Sequence, residues 1–134
     1  MNKKRFEESK DIAAYMLDKV AKESRLLTVG YIGDDAFVIE GEEDYFPITH
    51  EDQETAAKGS LIGCVVKKAG AVVLAQYHAD GDAFPTEDDI KVTKAIKKAM
   101  YENSKYLLDH VIITDTQYFS FADEKVHELS ELSR

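Results

Sequence analysis

The stretch Ala71–Ile90, AVVLAQYHADGDAFPTEDDI, decides how this chain is read. It opens with Ala71-Val72-Val73-Leu74-Ala75, an apolar, β-branched run with the length of a buried strand. It then turns polar, with Gln76, His78, Asp80 and Asp82 alternating along the chain. Gly81 breaks the strand and Thr86-Glu87-Asp88-Asp89 opens a helical pattern. Thr86 is the expected N-cap, and Asp89 takes the acidic place of a capping box. A strand that ends in a polar loop and enters a helix presents side chains from a rigid edge, a common address for chemistry. An imidazole, several carboxylates and a helix N-terminus converge here.

Upstream of this stretch, Asp52 to Lys68 reads as a helix with Ala56, Leu61, Cys64 and Val65 on its buried face. Gly59 and Gly63 cost that helix about 1 kcal/mol each relative to alanine, unless close packing on a sheet requires them. Gly70 is expected to stop it. Nearer the N-terminus, Phe6 to Lys22 reads as an amphipathic helix on Ile12, Tyr15, Met16 and Val20, with Ser9 or Asp11 as N-cap. Leu26 to Ile32 is a strand, Gly33-Asp34-Asp35 a tight turn, and Ala36 to Glu40 the return strand of a hairpin. Tyr45 to Ile48 follows as a short edge strand, because Pro47 has no N–H to donate to a ladder.

Downstream, Ile90, Ala95, Ile96, Ala99 and Met100 give Thr86 to Tyr101 one apolar helical face. Leu107 to Thr114 is a strand, Gln117 to Phe121 its hairpin partner, and Val126, Leu129 and Leu132 suggest a short C-terminal helix. With the short edge strand at Tyr45 to Ile48 set aside, the order α-β-β-α-β-α-β-β-α predicts an α/β fold, a single domain over residues 1–134 with a mixed sheet flanked by helices.

A hydrophobic content of 44% and a charged content of 32% over 134 residues describe an ordinary globular chain. No apolar run approaches the roughly 18 residues of a membrane span. The basic N-terminus leads into acidic residues and not into an apolar signal core, so the expectation is a cytoplasmic protein. The single cysteine, Cys64, excludes an intramolecular disulfide and suits a reducing compartment. Lys and Arg number 17 against 26 Asp and Glu, a net charge of −9. That balance disfavours nucleic acid, whose affinity comes largely from cations placed on phosphates. Lys91, Lys94, Lys97 and Lys98 are a local exception, read as the solvated face of a helix.

The stretch from Gln76 to Asp89 resembles the RadC-like branch of the JAB/MPN superfamily, the zinc-metallopeptidase (JAMM) fold with a cytidine-deaminase-like architecture. The family motif is His-x-His-Pro, then a Gly-Asp turn, then Pro-Ser-x-x-Asp opening a helix. Gln76-Tyr77-His78-Ala79, Gly81-Asp82 and Pro85-Thr86-Glu87-Asp88-Asp89 register on it without a gap. Leu107 to Asp123, LLDHVIITDTQYFSFAD, looks like the family's closing hairpin, and Lys58 to Ala75 is similar in pattern. These pieces all lie within the C-terminal two thirds of the chain.

The resemblance implies a zinc held by two histidines and an aspartate, with a water at the open position whose pKa the metal lowers. His78 stands at the second histidine and Asp89 at the aspartate. Thr86 replaces the serine that helps stabilise an oxyanion, and keeps a hydroxyl. Gln76 replaces the first histidine, and a neutral amide oxygen is a far poorer zinc ligand than imidazole. Ala79 removes the family's proline. For the general acid/base glutamate the resemblance points to Glu23, with Glu40 as the alternative.

Asp80 and Asp82 could supplement a weakened metal site, or Asp-Gly-Asp is a plain turn. Cys64 reads as core and His110 as structural, while His50 and His127 carry no signal. Two expectations follow. The first is a non-catalytic relative with weak or absent zinc that binds a protein or peptide partner, a homodimer included. The second is a surviving zinc hydrolase of peptide, isopeptide or related amide bonds using His78, Asp89 and a glutamate base.

Overall fold

The computed structural model describes residues 3–23, 25–48 and 53–133. Helix α1 (Ser9–Leu17) is followed by β1 (Leu26–Gly33), β2 (Asp44–Pro47), α2 (Glu54–Lys67), β3 (Ala69–Tyr77), α3 (Glu87–Glu102), β4 (Tyr106–Ile113), β5 (Gln117–Ser120) and β6 (Lys125–Glu128). A 3-10 turn, Leu129–Ser133, comes last. The six strands form one mixed sheet in the order β2-β1-β3-β4-β5-β6. Only β3 and β4 run parallel, with α3 as the crossover between them, and the other neighbours pair antiparallel. The α/β reading with flanking helices therefore holds.

Alternation along β3 sends its side chains to two cores. Val73 and Ala75 join Ile12, Ala13, Tyr15 and Met16 of α1, with Val111, Ile113 and Tyr118 alongside. Val72 and Leu74 face the other way, onto Ala56, Ala57 and Cys64 of α2 and Val92, Ile96 and Met100 of α3. Gln76 continues this second register, so the polar end of β3 points to the face covered by α3.

Several local expectations are corrected. Ala36 to Glu40 is not a strand: Ala36 has a φ of +71° and a single bridge joins Ile32 to Val38. The strand that returns along β1 is β2, where Leu26 pairs with Pro47 and Val29 with Asp44. At α1 the N-cap is Glu8, and Asp11 completes its capping box from inside the helix. Ser9 instead donates its hydroxyl to Asp123, 2.6 Å away. Lys68, not Gly70, ends α2 with a φ of +57°, and Gly70 lies within β3. Val126 belongs to β6, so the C-terminal helix shrinks to the 3-10 turn. His50 and Asp52 lie outside the described residues.

Gly59 and Gly63 do answer to close packing. A Cβ on Gly63 would stand 2.0 Å from Tyr31 Oη, and one on Gly59 2.2 Å from the Phe46 ring. The buried face of α2 is Ala56, Ala57, Ser60, Gly63 and Cys64, whereas Val65 turns outward.

Candidate functional site at the end of strand β3

The site sits where β3 ends and α3 begins. Thr86 caps α3: its Oγ1 accepts the Asp89 N–H at 3.2 Å, and Asp89 Oδ2 accepts the Thr86 N–H at 2.8 Å. This reciprocal pair fixes the first turn of α3 and turns the Asp89 carboxylate back toward the sheet. Gln76, buried on β3, donates its side-chain N–H to Asp89 Oδ1 at 2.8 Å. His78 Nε2 lies 3.0 Å from Asp89 Oδ2. Its other ring nitrogen, Nδ1, lies 2.7 Å from the Asp82 carbonyl oxygen. A carbonyl can only accept, so Nδ1 carries a proton.

The electrostatics follow from this packing. Burial raises the Asp89 carboxyl, but hydrogen bonds from His78, the Thr86 N–H and Gln76 outweigh it and hold its pKa down to about 2. The hydrogen bond to Asp89 raises the pKa of His78 against the opposing pull of burial. Each partner therefore favours the charged form of the other.

Behind this pair lies a second polar layer. Thr93, one turn beyond Asp89 on α3, donates its hydroxyl to the Asp89 carbonyl at 2.7 Å and meets His110 Nδ1. With its one proton committed, the hydroxyl accepts from Nδ1–H, which leaves His110 Nε2 as a bare acceptor. That atom is buried without a hydrogen-bond partner, as is Gln76 Oε1. Burial holds His110 well below the ordinary imidazole range, and its ring stacks on Phe121 at 4.7 Å. The structural reading of His110 thus gains a contact with the site that sequence spacing did not reveal.

The model of the RadC-like JAB domain family matches residues 6–126. The chain belongs to this family. Similar proteins include a UPF0758 protein of Pelobacter propionicus, 39% identical over 62 residues, or 46% of this chain and 27% of that protein. A UPF0758 protein of Aquifex aeolicus is 35% identical over 69 residues, covering 52% of this chain and 30% of the relative. One from Porphyromonas gingivalis is 43% identical over 74 residues, 53% of this chain and 33% of the relative. The matched stretch thus spans about a third or less of the length of these relatives.

Within this RadC-like JAB domain the residues expected at the site are not equally placed. Gln76, His78, Thr86 and Asp89 converge. Glu23 is exposed in the turn before β1, where its carbonyl accepts the Leu26 N–H at 3.1 Å. It lies at the same end of the sheet as Tyr77, because β1 runs antiparallel to β3 with Thr28 opposite Ala75. Glu40 pairs with Lys4 at 3.5 Å on the exposed surface. Asp80 and Asp82 form the plain turn: Asp80 accepts the Asp82 N–H and Asp82 the Phe84 N–H, each at 3.0 Å, around Gly81 at a φ of +85°.

The donor set can be compared with what zinc requires. His78 and Asp89 are the two strong donors, and Gln76 turns its N–H, not its oxygen, toward Asp89. Among the described residues no group of three or more His, Cys, Asp or Glu side chains is arranged to hold a metal ion. A catalytic zinc site takes three protein ligands.

Thr93 and Asp109 were missed in the sequence. Thr93 follows Asp89 at i+4 on α3, a spacing that places both on one helical face. Asp109 accepts from Ser120 Oγ, the His110 N–H and the Ala122 N–H, at 2.6, 2.7 and 2.9 Å, and so ties β4 to the end of β5. No sequence signal distinguishes it from a solvated aspartate.

Proposed function

We propose that this RadC-like JAB domain carries a degenerate metal site and works as a non-catalytic module that binds a protein or peptide partner. The observation that supports this reading is the occupancy of Asp89. Its carboxylate is met by Gln76, by His78 and by the Thr86 N–H, so the proton shared with His78 supplies the positive charge a metal would otherwise bring. The net charge of −9 favours a protein partner over nucleic acid. Among the described residues no helix is long and apolar enough to cross a membrane. Burial raises the Cys64 thiol to about 11, which makes it an inert core group suited to a reducing compartment.

Restoring the missing ligand tests the reading. Zinc titrated calorimetrically into the Gln76→His variant is expected to bind at one equivalent, while the wild type takes up none at comparable concentration. Equal, stoichiometric uptake by both proteins would overturn the reading.

A zinc-dependent amide hydrolase is the second reading, and one observation favours it. His78 directs Nδ1–H to a backbone carbonyl, the arrangement that orients a metal-bound histidine.

A further inference from the structure

Two buried acceptors lie beneath the first turns of α3, and the hydrogen bonds around Asp89 use neither. Gln76 of β3 stands opposite Ile112 of β4, and His110 lies two residues before Ile112. Alternation puts all three side chains on the face that α3 covers, so Gln76 and His110 are diagonal neighbours on parallel strands. Each is pinned at its other end by α3. Gln76 donates its N–H to Asp89 Oδ1 at 2.8 Å, and His110 Nδ1 meets the Thr93 hydroxyl one helical turn further on. Gln76 Oε1 and His110 Nε2 are left, both without a hydrogen-bond partner among the described residues. Their residues are 1% and 0% exposed.

A buried acceptor without a donor is costly, and folded proteins nearly always supply one. The two atoms cannot satisfy each other, because neither carries a proton. Reversing the Gln76 amide would turn its oxygen onto the Asp89 carboxylate, acceptor against acceptor. Moving the His110 proton to Nε2 would leave Nδ1 bare against the Thr93 hydroxyl, whose one proton goes to the Asp89 carbonyl. A single donor with two hydrogens meets both atoms at once, and water is the smallest such group. A metal ion would need more donors, and among the described residues no trio of His, Cys, Asp or Glu is arranged for one.

We propose that Gln76 Oε1 and His110 Nε2 jointly bind one buried water molecule, and that His110 acts through it as a positioning residue for Gln76. The water donates one hydrogen to each atom. It takes up the amide oxygen, the one atom of Gln76 able to ligate a metal, and leaves the N–H for Asp89. His110 thereby sets which end of the amide the Asp89 carboxylate meets, without a hydrogen bond to that carboxylate. The inference rests on the same Gln76–Asp89 hydrogen bond as the proposed function.

A crystal structure of the full chain, at a resolution that orders internal water, tests the site. One water is expected within about 3 Å of both atoms. Long-range proton–nitrogen correlation spectra of labelled protein are expected to show His110 protonated on Nδ1 and bare on Nε2. A ring that only fills space would not be held to one tautomer. His110→Phe keeps an aromatic ring against Phe121 but removes the acceptor, and is expected to lose the water. Should that variant fail to fold, the wild-type density and spectra decide alone.

No density between the two atoms, a peak with the anomalous signal of a metal, a proton on Nε2, or a water retained in His110→Phe would each overturn the proposal. Zinc uptake with the bridging water in place would overturn the non-catalytic reading alone. Zinc-free protein without the water would overturn this inference alone.

Discussion

His78 and Asp89 meet at 3.0 Å, Nε2 to Oδ2, across the junction where β3 hands over to α3, with side chains 10% and 6% exposed. The pair is held from both sides: the Asp82 carbonyl fixes the imidazole, and the Thr86 N–H and Gln76 fix the carboxylate. Its properties make the account measurable.

The pair stabilises the fold within a defined pH window. Asp89 has its pKa lowered from 3.8 to about 2, so its contribution is present above 3.8 and is lost as the pH falls through 2. His78 is raised from 6.5, so its contribution is complete below 6.5 and is lost as the pH climbs through the raised value. Together they stabilise most between 3.8 and 6.5, with the Asp89 shift equivalent to on the order of 2 kcal/mol. The wild-type melting temperature is expected to decline as the pH rises above 6.5, and His78→Gln to lose that part of the decline. Thermal melts across the range check this, and parallel profiles for the two proteins would contradict it.

The Thr86 cap and the Asp89 carboxylate should separate in energy. Thr86→Ala removes one N-cap acceptor and is expected to cost about 1 kcal/mol. Asp89→Ala strips the acceptor from buried Gln76 and from His78 as well as from the Thr86 N–H, and is expected to cost about 3 kcal/mol or more. Urea unfolding of both variants and of the double variant gives the coupling. A cost for Asp89→Ala no greater than for Thr86→Ala would show that the cluster contributes little.

Alanine at Gly63 should run against helix propensity. In an exposed helix the change gains up to about 1 kcal/mol. Here the new Cβ would stand 2.0 Å from Tyr31 Oη, and Tyr31 is buried and tied to Asp44 at 2.6 Å. A net loss of about 1–3 kcal/mol is expected from overpacking. Gly59→Ala should cost less, because the Phe46 ring it meets is only half-buried. Denaturation midpoints of the two variants check the order.

The stretch that carries the site was legible because its signals are local. A capping box, an apolar run and a Gly-centred turn each constrain only a few neighbouring residues, and Thr86, Asp89 and Gly81 behave as their spacing implies. The return strand was misplaced for the opposite reason. Ala36 to Glu40 has strand composition, yet pairing along β1 goes to Asp44–Pro47, a choice made by long-range register. Val65 was placed inside because helical periodicity alone does not say how wide the buried face is, and two glycines let α2 sit close on Tyr31 and Phe46. The link from Asp89 through Thr93 to His110 joins α3 to β4, which no single segment reveals.

The central claim is that the Asp89 carboxylate is taken up by hydrogen bonds from Gln76, His78 and the Thr86 N–H and that the site holds no resident zinc. The most direct test is the zinc content of wild-type protein purified from zinc-supplemented medium without chelator, measured by mass spectrometry against protein concentration. The account predicts far less than one equivalent, unchanged in His78→Ala. One equivalent of zinc in the wild type, lost in His78→Ala, would contradict it.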